Sequence, residues 1–213
     1  IKIIDCSWHM PQTKRNGLEE FKKQHITNAI FFDLDKNSKK NIELPHMLVE
    51  IKDWEGIVSK MGIKKDDKII IYDNSDVISS CRCWFNFIYF GHDPNLVHVL
   101  NGGLKKWIRE NRKISSEIKN VQKSDYKSFE RKELIKDKKL IDQNINKQEF
   151  KVIDARSQER FEGKVLEPRK GLRSGSIKNS FCLPFSDLLN ENHTFIKKEK
   201  ILQKFKLTKC ELD

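Results

Sequence analysis

Residues 68–73 read KIIIYD, and residues 79–91 read SSCRCWFNFIYFG. Three isoleucines and a tyrosine in a row, closed by Asp73, leave no polar face, so the first run is expected to be a strand covered on both sides. The second holds no Pro, and no Gly before Gly91. It is apolar around much of its circumference, which predicts a largely buried helix. Outward from these, LVHVL at 96–100 is another short strand, NGG a turn and LKKWIREN at 104–111 a helix. Upstream, DWEGIVSKMGI (53–63) has helical periodicity, with Gly62 where a C-cap belongs. Strands alternating with helices imply a parallel sheet with helices on both faces, and such sheets bind ligands beyond the carboxyl ends of their strands.

The chain repeats itself. IKIIDCSWHM (1–10) and FKVIDARSQER (150–160) both open on a β-branched run ending in an aspartate, Asp5 and Asp154. After a further 21–23 residues both show Ile-x-Asn, Ile26 and Asn28 in one, Ile177 and Asn179 in the other, followed by a second apolar run. Each copy then has an amphipathic stretch, 53–63 and 197–207. The second copy reaches the point that corresponds to about residue 66 of the first. Some 40–45 residues of the repeat are therefore expected beyond Asp213. The chain starts at Ile1 rather than Met, and a piece of a longer protein is expected. The stretch around 116–146 is rich in Lys, Ser, Asn and Gln and is expected to be a connector with short ordered pieces. The expected fold class is α/β: two tandem domains at 1–115 and 147–213 joined by a linker at 116–146, each a parallel sheet flanked by helices, the second incomplete.

Hydrophobic residues make up 37% of the 213 and charged ones 34%, with 13 Phe and 4 Trp available to fill cores. The net charge is +11, but lysines are interleaved with acids (KKDDK, KKEKILQKFK). That describes a Lys-coated surface, not a phosphate-binding stripe, and no nucleic-acid partner is expected. No apolar run approaches the roughly 20 residues that span a bilayer, so no membrane partner is expected either. The five cysteines, at 6, 81, 83, 182 and 210, are odd in number and irregularly spaced. They are expected as free thiols in a reducing compartment, which places the protein in the cytoplasm. CRC at 81–83 lacks a second Cys/His pair, so neither a metal site nor a cofactor is expected.

Only nine residues are Arg against 33 Lys, yet Arg156, Arg160, Arg169 and Arg173 fall within DARSQERFEGKVLEPRKGLRSG (154–175). A guanidinium is a planar fork that grips an oxyanion in two places, which an ammonium cannot do. The cluster therefore asks for an anion. A plainer account stands beside it: Arg160 on a helix paired with Glu162 or Glu167, Arg169 solvated after Pro168, and Arg156 and Arg173 each fixing the loop through a carboxylate.

Taken together, DCSWHMP (5–11), HITNAIFFDLD (25–35), LPHML (44–48), IIIYD (69–73), FGH (90–92), VLNGGLKKW (99–107), DARSQERFEG (154–163) and EPRKGLRSG (167–175) span almost the whole chain. The sequence resembles the tandem-domain rhodanese-family sulfurtransferases in these motifs and in their order. The resemblance implies two rhodanese-like domains, the first without catalytic activity. It implies a cysteine nucleophile at the end of the fourth strand of the second domain, in a loop whose inward amides favour the thiolate. That cysteine is expected past Asp213, so no catalytic residue is expected in this chain. Asp73 stands at the matching place in the first domain, and Cys210 comes before the expected strand. The implied reaction carries sulfane sulfur from a small-molecule donor to a thiol acceptor, thioredoxin-like or small, or to cyanide, through a cysteine persulfide. Within the family the chain is similar to the 3-mercaptopyruvate branch. That implies Arg160 and Arg169 as the seat of the keto acid, with Asp35 and His46 also lining the donor site. Asp35 could be a turn residue, but the leading expectation is that it orients His46 or an arginine, and His46 could simply cap its turn. The alternatives are a thiosulfate sulfurtransferase and a non-catalytic rhodanese-like binding module. Ser176 stands where the family has His; His25 keeps that place in the first copy and is expected to be structural.

Overall fold

A computed structural model describes residues 1–168 and 171–210. Contacts divide the chain into two compact units, Ile1–Leu134 and Ile135–Asp213.

In the first unit, β1 (Lys2–Asp5), β3 (Ala29–Phe31), β4 (Ile69–Tyr72) and β5 (Val97–Val99) form one sheet in the order β3-β1-β4-β5. All three pairings are parallel, with Asp5 opposite both Phe31 and Tyr72. The isoleucine run at 69–71 became an inner strand because both of its faces are covered. Ile69 and Ile71 pack with Ile4 and Phe32 against α2 (Ile51–Lys60) and α3 (Ser79–Tyr89), where Trp54, Val58 and Phe87 close the core. Tyr72 turns the other way and joins Ile3, Phe31, Phe21 of α1 (Gly17–Lys23) and Leu104 of α4 (Gly103–Arg109). The alternation along each strand is thus read out as two apolar faces. Trp54, fully buried, stacks on Phe90 at a ring separation of 4.7 Å. A short antiparallel pair, β2 (His25–Ile26) with β6 (Ile114–Ser115), tucks His25 inside. Its ring nitrogens meet the carbonyls of Phe21 (2.7 Å) and Glu117 (3.2 Å).

Residues 116–134, expected to belong to a connector, lie along this first unit. Tyr126 is fully buried there, its hydroxyl 2.9 Å from His92 Nδ1. Ser124 N–H donates to the carbonyl of Ser59, and Arg131 N–H to that of Tyr89. The strap passes so close to the end of α2 that a Cβ on Gly62 would lie 2.3 Å from Val121 Cγ1. Gly62 also has a φ of +62°, so the position after the Met61 C-cap is doubly reserved for glycine.

The second unit starts with α5 (Lys138–Lys147), capped by the Asp137 carboxylate on Leu140 N–H. β7 (Ile153–Asp154) and β8 (Phe181–Cys182) pair in parallel, with Asp154 opposite Cys182 just as Asp5 lies opposite Phe31. α6 (Gln158–Phe161) follows β7, and α7 (Lys198–Leu207) closes the unit. The repeat reaches single backbone angles: Asn28 and Asn179 take positive φ values of +67° and +65°, a conformation Asn tolerates better than most residues. Among the described residues this sheet has two strands, and Cys182 on β8 is half-buried, as Phe31 is at the matching place on β3.

Candidate functional site

At the carboxyl end of the first unit's sheet the chain brings together Trp8, Asp35, His46 and the first turn of α3. His46 Nε2 lies 2.8 Å from Asp35 Oδ1. The Trp8 indole N–H donates to both oxygens of the same carboxylate, at 3.1 Å each. The Trp8 and His46 rings meet edge to face, with centroids 4.9 Å apart. His46 sits at φ +58°, and the Arg82 guanidinium donates to its backbone carbonyl. Burial lowers the Arg82 pKa. Of the partners considered for Asp35, His46 is the one it meets, in a loop with the Asp35 side chain 66% exposed.

Next to this pair the strand ends are held by two carboxylates. Asp5 accepts from Ser7 N–H at 2.9 Å, and burial pushes its pKa up to about 6. Asp73 accepts from the amides of Ser75 (3.0 Å) and Ser80 (2.7 Å). The amide-lined turn that leads into α3 is thus filled by the first unit's own carboxylate. A third acid, Glu20, takes a two-pronged Arg15 at 2.7 Å per bond, together with His9 (3.2 Å) and Asn74 (3.0 Å). Burial raises the Glu20 pKa, but Arg15, His9 and Asn74 outweigh it and the net shift is down. Burial, followed by the Arg15 charge, lowers the pKa of His9.

In the second unit the arginine cluster is built around Glu167. Arg156 donates to Glu167 Oε1 (2.7 Å), to both oxygens of Asp154 and to the carbonyl of Gly175 (2.8 Å). Arg160, on α6, places Nη2 on Glu167 Oε2 at 2.5 Å. Glu167 is 4% exposed at its side chain. Its carboxyl is held below the usual range by Arg160, against burial and with help from Arg156. Of the two pairings considered for Arg160, the structure shows the one with Glu167. Arg156 fixes the loop as expected. Arg173 is exposed. Arg169 lies outside the described residues.

Burial disfavours the thiolate at Cys6, Cys81 and Cys182. Cys6 and Cys83 are fully buried, and burial pushes the Cys6 thiol well up. Cys81 is raised to about 11 by burial and then by Asp73. The Cys182 thiol, raised mainly by burial, lies 3.8 Å from the Arg156 carbonyl. Cys210 is half-buried at the end of α7. Among the described residues no three His, Cys, Asp or Glu side chains converge as metal ligands would. No helix among them is long and apolar enough to cross a membrane.

Trp8 and Arg82 were invisible to sequence reasoning in this role. Trp8 stood inside a quoted motif with no task, and nothing in the spacing of Arg82 points at a carbonyl 36 residues earlier.

Residues 2–110 match the family described as the Rhodanese-like domain. The whole chain is 33% identical to thiosulfate/3-mercaptopyruvate sulfurtransferase 1, mitochondrial, of Arabidopsis thaliana, and spans 61% of that protein. It is 32% identical to the 3-mercaptopyruvate sulfurtransferase of Mus musculus, spanning 71% of it. Among solved structures it resembles SseA of Escherichia coli, described as a 3-mercaptopyruvate sulfotransferase. The TM-score is 0.87 at 25% identity, over 99% of this chain and 78% of that one.

Proposed function

The chain belongs to the rhodanese family, and from that premise we propose that the whole protein takes sulfane sulfur from 3-mercaptopyruvate and passes it, as a cysteine persulfide, to a thiol acceptor or to cyanide. The observation that carries the choice of donor is the Asp35–His46 pair at 2.8 Å. When a thiolate attacks the sulfur of mercaptopyruvate, an S–S bond forms and the C–S bond breaks. The electron pair is left on carbon as the enolate of pyruvate, and a proton must be delivered there. Thiosulfate releases sulfite and needs no such proton. An imidazole backed by a carboxylate is suited to holding and giving that proton. His46 is the proton carrier in this reading and Asp35 its partner.

Arg160 and Arg169 form the carboxylate seat in the same reading. In the structure Arg160 grips the Glu167 carboxylate, the pairing of the plainer account, so in this reading the keto acid shares or displaces that contact. The sulfur carrier in this reading is a cysteine in an amide-lined loop that favours its thiolate, unlike Cys6, Cys81 and Cys182, whose thiolates burial disfavours. The acceptor is thioredoxin-like or a small thiol. The cytoplasm remains the proposed compartment on the strength of the free thiols, and fractionation decides it, since one relative is named mitochondrial.

The test is His46→Ala in the whole protein. Turnover with mercaptopyruvate is expected to fall by about 10²-fold, the scale of one proton-transfer group, while thiosulfate turnover stays within about threefold. Equal losses with both donors would show that His46 does not serve the keto acid.

A further inference from the structure

We propose that Trp8 is a positioning residue for sulfur transfer, acting through Asp35 on His46. This rests on the functional reading above, in which His46 supplies a proton.

Asp35 sits on an exposed turn, where a carboxylate ordinarily samples several rotamers, and His46 occupies a loop at positive φ. Neither residue is held by its own element. The restraint comes from outside. The indole N–H is shared between Asp35 Oδ1 and Oδ2, both at 3.1 Å, which fixes the plane of the carboxylate. Its Oδ1 then faces His46 Nε2 at 2.8 Å. The edge of the same indole lies on the His46 ring at an interplanar angle of 87°, which sets the imidazole's tilt. One side chain thus touches both members of the pair.

Trp8 is itself anchored by helix α3. The Ser79 hydroxyl accepts from Trp8 N–H at 3.1 Å and donates to the Cys6 carbonyl at 2.6 Å. One turn on, Arg82 holds the His46 carbonyl. The first turn of α3 therefore fixes the backbone on both sides of the pair, and Trp8 carries that rigidity to the side chains. Such support matters because misplacement of a reacting group by about 1 Å can cost up to roughly 10²-fold in rate.

The experiment is a double-mutant cycle in the whole protein, with Trp8→Phe, Asp35→Ala and the pair. Phe keeps the ring against His46 and removes only the N–H. With mercaptopyruvate, Trp8→Phe is expected to lower kcat about tenfold with KM within about twofold, and to leave thiosulfate turnover within about twofold. In the Asp35→Ala background the same change should cost less than about twofold. A damaging Asp35→Ala combined with an undiminished effect of Trp8→Phe overturns the proposal alone. An Asp35→Ala without effect on either donor overturns the functional reading and this proposal with it. A measurement that does not depend on the Trp8 variant folding is the Trp8 indole N–H resonance. Asp35→Ala is expected to shift it upfield, and an unmoved signal means that the hydrogen bond is not made.

Discussion

A carboxylate that is 4% exposed and accepts from two guanidinium groups sits where its charge is needed and cannot be replaced by water. Glu167 is such a group, and removing its charge leaves Arg156 and Arg160 facing each other with, among the described residues, Asp154 as the carboxylate paired with Arg156. Glu167→Gln is therefore expected to loosen the second unit. Amide exchange across β7 and β8 should speed up by about tenfold or more, while the first unit's slowest amides are unaffected. Unchanged exchange at β7 and β8 would mean that the two guanidiniums are held by other groups. At this scale the sequence picks out unusual residues more readily than it says what they touch. Arginines among lysines marked the cluster, but that Glu167 would fill Arg160 was one of two readings. Asp35 and His46 were singled out by family motif, since ten residues of loop separate them and loop spacing carries no period.

The elements were the most legible part, for a physical reason. β4 is apolar throughout because helices cover both its faces, and α2 and α3 are marked by their apolar stripes. The strap at 116–134 was hidden, because it is held by a few deep anchors, chiefly Tyr126, set among polar residues, and a few anchors make no periodicity. Two glycines, one within α2 and one just past its end, show how far the strap decides local tolerance. Gly56 lies within α2 and an added Cβ would meet nothing within 4 Å. Gly56→Ala is expected to stabilise by about 0.5–1 kcal/mol, the entropy difference of a helix interior. Gly62, six residues on, must accept both a positive φ and a Cβ 2.5 Å from the Gln122 carbonyl. Gly62→Ala is expected to destabilise by about 2 kcal/mol or more. Denaturation midpoints of the two variants decide it, and equal behaviour would mean that the strap is not seated on α2.

Across the whole molecule the buried and the paired carboxylates titrate in opposite senses. Glu20, Asp154 and Glu167 have their pKa values lowered, so each contributes stability that is present above its unfolded pKa and lost as the pH falls through the folded one. Asp5 is the reverse. Burial beneath the strand ends raises it from 3.8 to about 6, so between those values the folded state holds a proton that the unfolded state has released. Its contribution is greatest below about pH 4 and declines as the pH rises through about 6. His9 and His92, both lowered by burial, pull against it, because stability tied to a neutral histidine grows as the pH rises towards 6.5. The bulk curve between pH 4 and 7 is therefore a compromise, and the Asp5 part emerges only as a difference. Asp5→Asn keeps an acceptor for Ser7 N–H but cannot ionise, and both histidines remain in place. The stability of wild type minus that of Asp5→Asn is expected to fall by roughly 2–3 kcal/mol from pH 4 to pH 7, measured by urea denaturation at a series of pH values. A flat difference across that range would mean that Asp5 is ionised in the fold at the same pH as in the open chain, and that the strand ends admit water.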